Sequence, residues 1–111
     1  MRKLVTTVAT VVALTTLTVN AVTINELMNN KQTALMALGV ADYYTYNCAG
    51  LTHSGQKVMR QALYSNDLHL LTTVELMNTR EFREGFEFSA SYTCNKLRSV
   101  ITDAGAGALI R

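Results

Sequence analysis

The chain contains no proline, and no glycine occurs before Gly39. Proline removes a backbone donor and clashes with the preceding helical turn, and glycine is the commonest helix stop. Their absence from the first third excludes a punctuated linker there and favours helix. Cysteine is scarce too, with Cys48 and Cys94 the two present in 111 residues. A structural zinc site takes about four ligands at short spacings. Here Cys48 and His53 are close, Cys94 is remote and His69 stands alone, with neither a C-x-x-C nor a His-x₃-His pair. No metal site and no other cofactor is expected.

Charge of one sign is also missing once its location is considered. Ten basic and eight acidic side chains give a formal net charge of +2. Arg2 and Lys3 account for that surplus, and they precede an apolar run over 4–19 and the small-residue site Val19-Asn20-Ala21. Positive start, apolar stretch and small-residue site form the three-part pattern of a secretory signal peptide, expected over 1–21. Thr6, Thr7, Thr10, Thr15, Thr16 and Thr18 dilute the run, which falls short of the roughly 20 strongly apolar residues of a spanning helix. Cleavage after Ala21 is therefore expected, with retention as a weak anchor the alternative, and no stable membrane span. The remainder, 22–111, is formally neutral and long enough for one domain. It has no basic footprint for nucleic acid and no polybasic patch for anionic lipid. The destination read from these features is periplasmic or secreted.

The pattern within 22–111 is helical. Thr23 with Glu26 three residues later forms a capping-box sequence, and Ile24, Leu27, Met28, Ala34, Leu35 and Leu38 recur at helical spacing. Ala37, Ala41, Tyr44 and Cys48 carry one face onward past Gly39, so the first helix is one long element to about Cys48 or two collinear pieces. "AGLTHSG" reads as a turn. "QKVMRQALYS" reads as a second helix, and "LHLLTTVELM", capped by Asn66 or Asp67, as a third. A last helix over 80–103, opened by Asn78 or Thr79, places Phe82, Phe86, Ala90, Cys94, Leu97 and Ile101 on one stripe. Gly105 ends it in a left-handed cap, leaving 105–111 as a flexible tail. The fold class is all-α: a small bundle of three to five helices following the signal peptide.

In that arrangement Cys48 and Cys94 face inward on the first and last helices. Two core-facing thiols in an exported chain with no third cysteine are expected to join. The closed loop spans 46 positions, for which chain entropy gives about 4 kcal/mol, comparable to the whole stability of a small domain. Pairing also removes Cys48 as a thiol nucleophile for His53 to activate.

Other chemistry is sparse. Glu84 and Glu87 lie three apart, the spacing of an acid/base pair on one helix face. The mixed stretch "REFREGFEF" fits a solvated face better, with Arg80–Glu84 and Arg83–Glu87 pairs one turn apart. "GLTHSGQK" offers a glycine-serine turn before a helix N-terminus but lacks the phosphate-loop spacing. Aromatics are the surplus feature. Tyr43, Tyr44 and Tyr46 spread around the helix before Cys48, so at least one is expected in solvent. Phe88 lies about 200° from Phe86 at 100° per residue. Exposed aromatics are favoured interface anchors, which makes Tyr43, Tyr46 and Phe88 the candidate partner-binding residues.

The plan of leader, size, helicity and two cysteines resembles several kinds of small exported helical protein. These are acid-stress periplasmic chaperones, immunity proteins against envelope toxins, and phage-encoded periplasmic lysozyme inhibitors or lysis regulators. The resemblance rests on no residue motif and carries over no functional residue. The function expected is non-enzymatic: binding and inhibiting or modulating a protein partner in the cell envelope, such as a lytic enzyme, toxin or lysis factor. A periplasmic stress chaperone is the alternative, and a small hydrolase using Glu84 or Glu87 a remote one.

Overall fold

Asparagine, threonine and serine set the helix boundaries. The computed structural model describes residues 24–111; the leader over 1–21 and the Thr23 cap lie outside the described residues. Helix α1, Ile24–Asn29, stops at Asn30, whose extended backbone and side-chain oxygen cap α2, Lys31–Asn47, by accepting from the Thr33 amide at 3.0 Å. Asparagine side chains compete for backbone amides in this way and favour caps. The first long element is thus broken at Asn30, and α2 runs unbroken through Gly39.

Helix α3, His53–Ser65, begins three residues before the expected "QKVMRQALYS" segment because Thr52 caps it, accepting from the Gly55 amide at 3.1 Å. The third expected helix is divided. A 3₁₀ turn covers Leu68–Leu70 after Asp67, which takes a left-handed conformation at φ 58°. Then α4, Thr73–Met77, opens on a complete capping box. Thr72 accepts from the Glu75 amide at 3.1 Å, and the Glu75 carboxylate accepts from the Thr72 amide at 2.9 Å.

The last helix is two helices. Helix α5, Arg80–Ala90, starts at the Thr79 cap, and α6, Cys94–Ile101, starts at Thr93. Ser91 and Thr93 supply the break. The Ser91 hydroxyl donates to the Phe88 carbonyl at 2.6 Å, and the Thr93 oxygen accepts from the Lys96 amide at 3.2 Å. Such local bonds offer the backbone an alternative to helical continuation. The predicted stripe is consequently interrupted: Phe82 and Leu97 are buried, while Ala90 is exposed. No strand occurs among the described residues, and a single antiparallel bridge links Leu51 to Ile110.

Two packing centres result. Leu27, Ala34, Leu35, Ala62 and Leu68 form one, flanked by half-buried Leu38, Met59, Leu63 and Leu76. The other is the α2–α5 contact, the most extensive in the molecule. There Gly39 lies against the backbone of Phe82 and Phe86, and Gly85 against the backbone of Met36. A Cβ at either position would overlap a carbonyl oxygen, so glycine permits the close approach. Cys48 and Cys94 form the expected disulfide, with Cα atoms 5.6 Å apart.

Gly105 takes φ 88°, as a left-handed cap requires. The segment after it is not a loose tail. The Leu109 carbonyl accepts from the Thr52 amide at 3.0 Å, and the Arg111 amide donates to the Gly50 carbonyl at 3.0 Å. The Thr52 hydroxyl donates to the Ala108 carbonyl at 2.9 Å. The Arg111 carbonyl receives the Tyr44 hydroxyl at 2.6 Å and Arg98 Nε at 3.3 Å. Backbone bonds that a tail would make to water are made to the 50–52 segment instead. No helix of the described residues is long and apolar enough to cross a membrane.

Candidate functional site

The tyrosines before Cys48 separate by their angular positions on α2. Tyr44 is fully buried, with its hydroxyl on the Arg111 carbonyl. Tyr43 is half-buried, and its ring meets Phe86 edge-on at 5.2 Å. Tyr46 is 79% exposed. Phe88 is 41% exposed and packs edge-on against Tyr92 at 5.2 Å. Of the three candidate anchors, Tyr43 is engaged within the fold and Phe88 has a separate neighbour. Tyr46 lines a concave surface.

That surface is an open apolar groove with a volume of about 310 Å³. Helix α2 supplies Leu38, Ala41, Asp42, Thr45 and Tyr46, and the 51 position supplies Leu51. Met59 and Leu63 of α3, Thr73, Leu76 and Met77 of α4, and Phe82 of α5 complete the lining. The groove exists because α4 is short and buries none of its five residues. Its Met77 is 44% exposed, and Val74, one turn earlier, is 68% exposed. Helix α4 therefore stands as a wall and does not fill the space between α3 and α5.

Asp42 is the one acidic or basic side chain in this lining. Among the described residues it makes no hydrogen bond and no ion pair, and burial raises its pKa above the ordinary carboxylate value. It shares one α2 face with Leu38 and Tyr46, four residues to either side. An uncompensated carboxylate among apolar side chains is costly unless a cation meets it. Sequence reasoning passed over Asp42, although a signal was present: it is the one charged residue between Lys31 and Lys57.

The remaining candidates lie elsewhere. Glu84 and Glu87 are exposed on α5, and neither lines the groove. The expected Arg80–Glu84 pair is replaced by a contact between Arg80 and its neighbour Glu81 at 3.4 Å. His53 is exposed in the first turn of α3, and His69 stacks on Tyr64 at 4.4 Å. No group of three histidine, cysteine or carboxylate side chains able to hold a metal occurs among the described residues.

Compared with protein-family models, curated proteins and solved structures, the chain matches none.

Proposed function

We propose that this is an exported, non-enzymatic helical protein that binds a protein partner in the cell envelope, through the α2–α4 groove, and inhibits or modulates it. The observation that carries the reading is the groove itself. Four helices wall an apolar hollow whose rim holds Tyr46 and Met77 in solvent. Exposed apolar surface of this kind, rimmed by polar residues, marks interaction sites, and amphipathic helices seat in such grooves. The disulfide supports the assignment to an oxidising compartment. It also joins the end of α2 to the start of α6, which limits the ordering cost of binding.

A photo-crosslinking residue placed at Tyr46, with a second at Phe88 as control, tests this in cells exporting the protein. The expected result is a discrete adduct from position 46 that disappears when Met77→Glu is added. The partner, identified by mass spectrometry, should then change activity when the purified chain is titrated in. Adducts of the same pattern from both positions, or a partner indifferent to the protein, would refute the proposal.

The stress-chaperone reading draws on Leu70 and Val74, exposed to 72% and 68%. It requires the chain to suppress aggregation of an unfolded client at acid pH. If instead one folded partner is captured and no suppression is seen, that reading is removed.

A further inference from the structure

We infer that the groove selects a partner segment that is helical, apolar on one face and carries a lysine or arginine seated beside Asp42. This rests on the groove being the binding surface proposed above, and goes on to define the chemistry of its occupant.

Size, shape and charge point the same way. A volume of about 310 Å³ is the lower limit of small-molecule pockets and is open along one side. It accepts a few side chains from an adjoining backbone. Val74 and Met77 extend the apolar rim along α4, one turn apart. A helix offering anchors at i, i+3 or i+4, and i+7 matches a rim that runs beyond the hollow.

The charge identifies the rest. No lysine or arginine lines the groove, and Asp42 has no partner among the described residues. The nearest carboxylate by sequence on the α4 wall, Glu75, is committed to the Thr72 cap. An apolar occupant alone would strip water from Asp42 and leave the charge uncompensated, which costs free energy. An occupant with a cation at that position removes the penalty and gains a charge-assisted hydrogen bond. Groove-to-groove docking of two copies would bring two uncompensated Asp42 carboxylates onto one interface, which like-charge repulsion disfavours. The occupant is therefore a different chain.

The test uses the oxidised full chain and three synthetic helical peptides, each with the same apolar i, i+3, i+7 face. They differ at one flanking position, which is lysine, glutamine or glutamate. Fluorescence anisotropy at physiological salt should show the lysine peptide binding about fivefold tighter than the glutamine one, the size of a partly exposed charge pair. The glutamate peptide should bind weakest. Asp42→Asn should level the three affinities, and Asp42→Glu should preserve their order. Met77→Glu should abolish binding of all three.

The failures are distinguishable. Binding that survives Met77→Glu places the peptides elsewhere and overturns both the groove and this inference. Equal affinities for wild type, with Met77→Glu still effective, overturn the role of Asp42 and leave the groove standing. No binding by any peptide up to about 1 mM, a limit of about −4 kcal/mol, overturns the inference as stated. Sedimentation showing a dimer that Met77→Glu dissociates would assign the groove to a second copy and overturn it also. Circular dichroism and melting of each variant establish that the fold persists.

Discussion

Replacing Gly39 with alanine separates two opposed effects by sign. In an isolated helix the change stabilises by about 1 kcal/mol, because alanine loses less conformational freedom and shields the backbone. In this molecule α2 is helical through position 39, and the added methyl would meet the Phe82 carbonyl and the Phe86 amide of α5. Backbone atoms cannot swing aside as a side-chain end would, so the two helices must part. Overpacking of a tight contact costs roughly 1–3 kcal/mol and occasionally more. The α2–α5 contact is the largest in the fold, and the disulfide ties the residue after α2 to Cys94, four residues beyond the end of α5, which places the cost in the upper part of that range. After the propensity gain, a net loss of about 2 kcal/mol remains. For a domain of this size that lowers Tm by roughly 8–16 °C. Urea unfolding and calorimetry of the oxidised protein measure it. Gly85→Ala, which drives a methyl into the Met36 carbonyl from the other side, should cost a similar amount. The double variant should cost less than the sum, since helices already parted accommodate the second methyl. An unchanged or raised Tm for Gly39→Ala would refute the close-approach account.

Three further outcomes follow from the same geometry. Changing both cysteines to serine opens the loop between positions 48 and 94 and should lower stability by about 4 kcal/mol, read by urea unfolding beside the oxidised parent. Tyr44→Phe removes the donor to the Arg111 carbonyl at 2.6 Å. It should cost about 1 kcal/mol and speed amide exchange at Arg111, whose amide is held by Gly50; unchanged exchange would argue that the C-terminal segment is held without it. Asp42 has its folded pKa raised by burial. Its stabilising share is thus present at acid pH and lost as pH rises through the folded pKa. Asp42→Asn should therefore melt no lower than wild type at pH 7, with any advantage fading as pH falls through the raised folded pKa and gone below about pH 4, the ordinary carboxylate value. A variant that melts lower at neutral pH would reveal a hidden partner for the carboxylate.

What could be read in the residues and what could not divides by range. The disulfide followed from parity and inward placement, because two sulfurs have only one way to pair. Helical character followed from periodicity. The boundaries that went astray all turn on short polar side chains competing for nearby amides. Asn30 broke a helix that Gly39 was better suited by composition to break, while Gly39 was kept for a contact with α5 more than forty residues away. Ser91 and Thr93 divided a stripe that looked continuous by spacing. The Thr72–Glu75 pair was a visible capping signature hidden inside an apolar run. The segment over 105–111 read as a tail because its acceptors and donors, Gly50 and Thr52, sit far off in sequence. An exposed tyrosine among 43, 44 and 46 followed from helix geometry without fixing that it is Tyr46, and the groove beside it was not legible, since its walls come from four helices and its central charge carries no motif.

The crosslink has a mechanical consequence. Helices α3, α4 and α5 all lie between the two sulfurs, so tension applied at the chain ends travels through the 48–94 bond and bypasses them. Pulled from either end, the oxidised protein should conceal about 160 Å of contour that only a reductant releases. Three of the groove's four walls are thereby shielded from load borne by whatever is attached to the ends of the chain, while α2, which precedes Cys48, carries it.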